Sequence, residues 1–593
     1  MRRVIIGFFT VLGVLVVLLV IGGAVTWHFL APRTPAIAGS TILNLDLTQS
    51  LAKSPPENAL GQLLQEDHLT LRDALDALQR AGNDPRIKGV VARVGSDDMG
   101  TATVQELREA VQAFRGRGKF AIAYADAFGE AGPGNRSYYL ATAFDEIWLQ
   151  PLGEVGLTGL RVESPFFRGT LDLLGLVPRL DHRSEYKSAM NAVTDKAMQA
   201  PQREETEAII HSIFGQMVGD IASARRIGEP ELRQLIDGGP YLAADAEKLH
   251  LVDHVGYRDE AIAAARGRAG GIAALLGPTT YLERAGRPNR EGPTIALIYG
   301  AGITQRGKSN ENPLSDGGVL GADSVAHAFR TALADPAVRA ILFRIDSPGG
   351  SAVASETIWR ETVRARQANI PVIVSMGDVA GSGGYYIAAD ADKIVAQPAT
   401  LTGSIGVVGG KILTPGLWDK LGVGWGAVEE GKNAAMYSSL EDYSPEGQRR
   451  FEHLLDAVYD GFKDRVATGR RLDKDKVEEI ARGRVWTGED AKARGLVDEL
   501  GGYDIALRLA RTAAHLNPDS PITLKQYPPE RTAREEILAR MLGREPEDES
   551  QVSAGGLAVE LQQLVQVLRP VVQRVEALTA PRGLLTMPTD EIR

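Results

Sequence analysis

The sequence contains one long segment twice, and this internal repeat restricts the possible folds more than any other feature. Residues Tyr138–Ala141 (YYLA) recur as Tyr385–Ala388 (YYIA), an offset of 247 residues. Upstream, Asp84–Val94 (DPRIKGVVARV) matches Asp335–Ile345 (DPAVRAILFRI) at an offset of 251 residues. Small differences in offset are what loop insertions and deletions produce. We therefore expect two copies of one domain.

Each copy alternates short apolar runs with amphipathic stretches. Short apolar runs are typical of buried parallel strands, and amphipathic stretches are typical of helices. This alternation predicts an α/β fold with largely parallel strands and right-handed crossovers, written twice in tandem. In the second copy, the predicted strands and then the predicted helices are Ile295–Tyr299, Ala340–Ile345, Val372–Ser375 and Lys393–Ala396, followed by Asp323–Leu333 and Ser355–Gln367.

The repeat also predicts the domain boundaries. Residues 38–276 and 294–525 are the two copies, and residues 277–293, rich in Gly, Pro and Arg, are interpreted as a linker. The strand and helix pattern stops near residue 526. We interpret residues 526–593 as a tail used for packing or assembly, and residues 1–37 as a cytoplasmic stub followed by a membrane anchor.

The anchor prediction rests on Val4–Ala31, where no Asp, Glu, Lys or Arg occurs. About 20 such residues cross a ~30 Å hydrocarbon core. Arg2 and Arg3 precede the run, so the positive-inside rule places the N-terminus in the cytoplasm and the bulk of the chain outside. The alternative is a cleaved signal peptide with a small-residue site at Ala36–Ala38. The run exceeds the usual h-region of roughly 7–15 residues, which favours a retained single transmembrane helix.

Composition excludes several classes of function. The chain of 593 residues has 66 Lys and Arg against 76 Asp and Glu, a formal net charge of −10, which argues against nucleic acid as a partner. It contains no cysteine. Disulfides, thiolate metal sites and a cysteine nucleophile are therefore excluded.

The two motifs that indicate a catalytic site lie in the second copy. Ser347–Gly350 (SPGG) follows a predicted strand, and Gly381–Tyr386 (GSGGYY) follows the next. Glycines after a strand let the backbone turn sharply and present N–H groups to an oxyanion. Ser382, at the start of a predicted helix, is the candidate nucleophile. The first copy has SDDMG in place of SPGG and Asn135 in place of Ser382, so it has no nucleophile.

The base is harder to predict. His327 and His453, the histidines nearest to Ser382 in sequence, lie in helical patterns without an evident aspartate partner, which argues against a Ser-His-Asp triad. Lysine is the other option: Lys187 in the first copy stands opposite Asn433 in the second. The pairing alone does not distinguish a base from a surface lysine.

Four motifs together resemble the signal peptide peptidase A (protease IV) family in its long, double-domain form. They are SPGG, GSGGYY, Leu401–Gly406 (LTGSIG) and Glu185–Met190 (EYKSAM). The resemblance implies tandem domains of the crotonase or Clp-protease type. It also implies five site roles: nucleophile Ser382, general base Lys187, lysine-orienting Ser404, and oxyanion donors Gly383 and Gly350.

Lys432 and His182 remain alternative bases. Glu185 is a concern, since a carboxylate paired directly with Lys187 would favour the ammonium form and raise the pKa of that lysine.

The function implied is that of a membrane-anchored serine endopeptidase with a Ser-Lys dyad, degrading cleaved signal peptides and other unfolded apolar peptides. No metal or cofactor is required. The resemblance also implies a homotetramer, and we expect a bacterial inner-membrane protein with its catalytic part on the periplasmic, extracytoplasmic side. The alternatives are a crotonase-like acyl-thioester enzyme, which would use a carboxylate base, and an inactive anchored scaffold.

Overall fold

The first half of the chain is organised around a six-stranded parallel sheet. The structure is a computed structural model that describes residues 36–54, 69–95, 97–309, 318–529 and 585–586. The strands of this half are β1 (Thr41–Leu47), β2 (Ile87–Val94), β3 (Phe120–Ala125), β4 (Glu146–Leu149), β5 (Glu154–Val155), β6 (Val177–His182), β7 (Tyr241–Leu242), β8 (His254–Val255) and β9 (Ala274–Leu276). The sheet order is β8-β4-β3-β2-β1-β9, and every neighbouring pair is parallel.

Helices cover both faces of this sheet. They are α1 (Leu71–Gly82), α2 (Thr101–Arg115), α3 (Asn135–Ala141), α4 (Arg168–Leu174), α5 (Asn191–Thr194), α6 (Ala200–Arg225), α7 (Glu229–Gly238), α8 (Ala243–Lys248), α9 (Arg258–Arg268) and α10 (Pro278–Ala285). The start of α1 shows how local sequence sets these bounds. The Thr70 hydroxyl accepts from the Asp73 N–H while the Asp73 carboxylate accepts from the Thr70 N–H, a reciprocal capping box.

The second half contains a larger sheet. The strands of the second half are β10 (Thr294–Ala301), β11 (Ile303–Gln305), β12 (Val319–Gly321), β13 (Val338–Ser347), β14 (Gly349–Gly350), β15 (Val372–Gly381), β16 (Lys393–Ala396), β17 (Leu401–Gly403), β18 (Val408–Leu413), β19 (Val485–Thr487), β20 (Glu499–Leu500), β21 (Thr523–Gln526) and β22 (Leu585–Thr586). Of these, β11, β12, β14 and β22 form a separate four-stranded sheet and β18 pairs with β6, while the other eight form the larger sheet of this half. Its α-helices are α11 (Ala322–Ala334), α12 (Ala352–Gln367), α13 (Gly383–Ala388), α14 (Pro415–Leu421), α15 (Pro445–Arg470), α16 (Lys474–Ile480), α17 (Gly488–Ala493) and α18 (Tyr503–Ala513), with a 3₁₀ turn at Ala434–Tyr437.

Both sheets share one strand order. In the second, β20-β16-β15-β13-β10-β21 repeats the order β8-β4-β3-β2-β1-β9 with all pairs parallel. The second sheet adds β17 beside the carboxyl end of β15, and β19 pairs antiparallel with β17. The strands and helices predicted in the second copy are all present. The strands could be predicted because buried parallel strands are apolar on both faces and therefore appear as short apolar runs.

The two halves are joined by strand pairing and by a buried ion pair. β6 of the first half pairs antiparallel with β18 of the second, from Val177↔Leu413 to His182↔Val408. On another face, the Arg344 guanidinium of β13 donates to the Glu106 carboxylate of α2, at 2.7 Å. The loop that follows β6 is thereby held against the second sheet.

The segment 277–293, interpreted from sequence as a linker, contains helix α10. Pro278 occupies the first turn of this helix, where its missing N–H costs nothing. Tyr281 is fully buried, and its hydroxyl donates to Asp84 at 3.1 Å. Arg287 pairs with Asp76 at 2.9 Å. This segment therefore packs against the first half and is not an unpacked linker between the domains.

Among the described residues, no helix has the length and apolar character needed to cross a bilayer. The predicted anchor at Val4–Ala31 lies outside the described residues. Most of the predicted tail lies outside them as well; its described part includes β22, whose backbone pairs antiparallel with β14.

Candidate active site

Ser382 lies at the sharp turn between β15 and α13. Its backbone has φ 53° and ψ −116°, a conformation that a residue with a Cβ adopts only under strain. The Ser382 N–H donates to the Gly403 carbonyl at 2.8 Å, which ties the turn to the adjacent strand β17. The side chain is fully buried. The strained turn therefore projects a hydroxyl from the end of the sheet, as a nucleophile requires.

Ser404 follows β17 directly, one strand away from Ser382. It also has a positive φ of 50°, and its N–H donates to the Arg484 carbonyl at 2.7 Å. Its side chain is fully buried. The neighbouring strands β15 and β17 therefore end in two strained, buried serines.

Lys187 reaches these serines from the first half of the chain. It lies in the loop after β6, and its Nζ is 2.9 Å from Ser382 Oγ, 3.0 Å from Ser404 Oγ and 2.9 Å from the Ser404 carbonyl oxygen. Its stem passes Gly406 and Gly483, where Cβ atoms would lie 3.1 Å from Lys187 Cδ and 2.6 Å from Lys187 Cβ. These two glycines leave the space that the lysine side chain occupies.

Burial changes the acidity of this lysine. The Lys187 side chain is fully buried, and removal from water lowers its pKa from 10.5 to about 7, against an opposing effect of the nearby Glu205 carboxyl group. An amine with a pKa near 7 is substantially neutral at physiological pH. Lys187 can therefore accept a proton where an exposed lysine cannot.

The expected oxyanion donors, Gly383 and Gly350, lie close to Ser382 in the fold. A Cβ on Gly383, the first residue of α13, would sit 3.1 Å from the Gly350 nitrogen and 2.6 Å from Ser355 Oγ. The absence of a Cβ at Gly383 therefore lets the first turn of α13 pack closely against the backbone of β14. A Cβ on Gly350 would lie only 2.2 Å from the Thr304 carbonyl oxygen. N–H groups in the first turn of a helix have no partner within the helix and favour negative charge.

In the first half, the position that corresponds to Ser382 and the helix N-terminus after it bind other groups of the same chain. Asn135 stands where Ser382 stands, and its side-chain amide donates to the Gly159 carbonyl at 2.9 Å. The N–H groups of Arg136 and Ser137, in the first turn of α3, donate to the Asp97 carboxylate at 3.3 and 2.7 Å. A carboxylate therefore occupies the first half where an oxyanion would bind in the second.

The structure places none of the four alternative bases in contact with Ser382. His182 bonds through Nδ1 to the Ser184 carbonyl at 2.8 Å, and Lys432 is exposed. His327 contacts Thr331 within its own helix, and His453 is exposed on α15.

Glu185, two residues from Lys187, forms an ion pair with Arg482. The Glu185 carboxylate is therefore paired with the Arg482 guanidinium and not with the Lys187 amine.

Sequence reasoning missed two residues of this region. Glu205 on α6 is buried close to Lys187, and Asp97 fills the first-half site. Nothing in the spacing of either residue signals its position, because both contacts depend on tertiary packing. In the part of the chain that the structure describes, no group of three or more His, Asp or Glu side chains could hold a metal ion.

Comparison with known proteins identifies the family. The sequence profile described as Peptidase family S49 matches residues 113–270 and 364–517, which is more than half of the chain. The chain belongs to peptidase family S49. One profile matches both halves of this S49 peptidase, in agreement with the internal repeat.

Relatives of this S49 peptidase carry matching names. The "Serine protease SPPA, chloroplastic" of Arabidopsis thaliana is 32% identical over 480 residues, covering 79% of this chain and 70% of the relative. "Protease 4" of Salmonella typhi is 32% identical over 529 residues, covering 84% and 82%. The "Putative signal peptide peptidase SppA" of Enterococcus faecium is 38% identical over 173 residues, covering 29% and 50%. This S49 peptidase is a serine endopeptidase, as the resemblance predicts.

Proposed function

We propose that this S49 peptidase cleaves peptides with a Ser-Lys dyad in which Ser382 is the nucleophile and Lys187 the general base. The observation that carries the proposal is the distance of 2.9 Å between Lys187 Nζ and Ser382 Oγ, with both side chains fully buried. A nucleophile needs a base within hydrogen-bond reach, and no other amine or imidazole of the described residues contacts Ser382.

The hydrogen bonds around Lys187 orient its lone pair. A neutral amine has two N–H bonds and one lone pair. The two N–H bonds donate to Ser404 Oγ and to the Ser404 carbonyl, which directs the lone pair to the Ser382 hydroxyl. Ser404 is thus the orienting residue, which is the role that the resemblance implies for it.

Acylation then proceeds by proton transfer and attack. Lys187 takes the Ser382 proton as Oγ bonds to the scissile carbonyl carbon, and the carbonyl π electrons move to oxygen. The N–H groups of Gly383 and Gly350 stabilise that oxyanion. When the C–N bond breaks, the Lys187 ammonium donates its proton to the leaving amine. An acyl-enzyme on Ser382 remains, and neutral Lys187 then deprotonates the water that hydrolyses it.

An extended peptide backbone fits against β14. Gly349 and Gly350 pair antiparallel with the backbone of Thr586 and Leu585. We propose that a substrate strand binds this edge in the same way, so that main-chain pairing gives affinity without demanding a particular side chain. Main-chain recognition suits an enzyme that degrades released signal peptides and other unfolded apolar peptides.

We further propose the cellular arrangement. Residues 1–37 anchor the chain in the bacterial inner membrane, with residues 38–276 and 294–525 as two Clp-like or crotonase-like domains on the periplasmic side. The charge-free run of Val4–Ala31 and the common strand order of the two sheets support these assignments. Assembly into a homotetramer, with residues 526–593 as a packing or assembly tail, follows the family resemblance.

Hydrolysis of denatured casein by purified variants tests the dyad. We expect Ser382→Ala and Lys187→Ala to lose more than ~10³-fold in kcat/KM, while the exposed control Lys432→Ala keeps wild-type activity. Wild-type activity of a folded Lys187→Ala protein would refute the dyad. Turnover of enoyl thioesters without peptide hydrolysis would instead favour the acyl-thioester alternative.

A further inference from the structure

Glu205 is a buried carboxyl group that the mechanism above does not use. It lies on α6 of the first half and is only 3% exposed. Its nearest described partners are polar rather than cationic: the Val485 N–H donates to Oε1, and Ser188 Oγ lies 3.5 Å from Oε2. A carboxyl group buried without an ion pair is costly, so its position next to the base calls for a function.

Its contacts join the two parts of the dyad. Ser188 is the residue after Lys187 in the first half. Val485 pairs with Gly403 in the second half, and the preceding Arg484 carbonyl holds the Ser404 N–H at 2.7 Å. One side chain therefore contacts both the segment that carries the lysine and the strand that places its orienting serine.

Two charged side chains face Glu205 from the elements packed against it, Lys187 from the loop after β6 and Arg484 from the loop before β19. The ion-pair partner of Arg484 is a different carboxylate, because its guanidinium binds Glu204 bidentately at 2.7 and 2.8 Å. Arginine stays protonated at every pH of the assay, so Lys187 is the neighbour whose charge can change together with that of Glu205.

We propose that Glu205 is a positioning residue of the dyad that holds the lysine loop against the Ser404 strand and determines the pH at which Lys187 becomes a base. This inference rests on the proposed function. It names the group that regulates the same site.

The physical basis is a shared proton. Burial raises the pKa of Glu205 from 4.5 to about 8 and lowers that of Lys187 to about 7. Near neutral pH the two groups therefore compete for one proton, and Lys187 is neutral when Glu205 holds it. An ionised Glu205 would instead favour the ammonium form, so the two groups titrate as a coupled pair.

The test is the pH profile of kcat/KM for full-length Glu205→Gln. The amide oxygen still accepts from Val485, but the residue cannot ionise. We expect the midpoint of the acid limb to fall by roughly 0.5–1 pH unit, because no carboxylate remains to favour the ammonium. Glu205→Met, an uncharged chain of similar length, is the second variant and shifts in the same direction. The matched control is Glu207→Gln, which removes an exposed carboxylate from the same helix and leaves the midpoint unchanged.

An acid limb that stays at the wild-type pH or moves upward in folded Glu205→Gln would overturn the proposal. A uniform loss of kcat/KM at every pH would do so too, because it would show a purely structural role. Failure of the dyad itself is distinguishable, since Lys187→Ala would then retain activity and the acid limb of the wild type.

Discussion

Removing the charge of Glu106 is expected to weaken the contact between the two halves strongly. Glu106 Oε2 accepts from Arg344 at 2.7 Å, and Oε1 accepts from the Tyr503 N–H at 2.6 Å. The side chains of Glu106 and Arg344 are 3% and 6% exposed. In Glu106→Gln the amide oxygen can still accept from Tyr503, but the arginine charge is left buried without a counter-ion. Breaking a buried pair in this way costs about 3–5 kcal/mol.

Urea denaturation followed by circular dichroism measures this loss. With a slope of roughly 1–3 kcal/mol per molar urea, the transition that disrupts the contact moves down by about 1 M or more. The matched control is Asp245→Asn, which breaks an exposed pair with Lys248 and shifts the free energy of unfolding by less than about 1 kcal/mol. Adding Arg344→Met to Glu106→Gln should recover stability, because the unpaired charge is gone. A Glu106→Gln midpoint equal to that of the wild type would refute the reasoning.

Three further predictions concern the site. Peptidase activity should fall about tenfold per pH unit below pH ~7, because the pKa of Lys187 is lowered to about 7 and its ammonium form cannot accept a proton; an equal rate at pH 5 and pH 8 would contradict this. Ser404→Ala removes the hydroxyl 3.0 Å from Nζ and leaves the carbonyl, so steady-state kinetics should show kcat reduced roughly tenfold with little change in KM; an unchanged kcat would argue against an orienting role. Gly350→Ala places a Cβ 2.2 Å from the Thr304 carbonyl oxygen and displaces the N–H proposed to bind the oxyanion, so kcat should fall by ~10²-fold or more. Gly424→Ala, where a Cβ meets no other atom, should behave as wild type.

The sequence predicts the parts of the fold that depend on local pattern. Buried parallel strands such as β13 and β15 are apolar on both faces and stand out as short runs. Glycine and serine turns after those strands indicate Ser382, Gly383 and Gly350, because a sharp turn at a strand end has recognisable residue requirements. The helix within 277–293 was not predicted, since its Pro and Gly residues resemble those of a loop until their capping positions are known.

The contacts that complete the site are long-range and were not predictable from spacing. Lys187 and Ser382 are 195 residues apart, and only the repeat together with the family resemblance connected them. The pairing of β6 with β18, which carries the lysine loop to the serines, has no local signature because strand register depends on packing between the halves. Glu205 and Asp97 are likewise ordinary acidic residues in the sequence.

We propose that one active site is built from two halves of the same chain. Co-expression of differently tagged Lys187→Ala and Ser382→Ala chains, followed by purification through both tags and a peptidase assay, tests it most directly. Because Lys187 and Ser382 meet within a single chain, the mixed complexes should be as inactive as either variant alone. Recovery of a substantial fraction of wild-type activity would contradict the claim, since it would require the lysine of one chain to serve the serine of another.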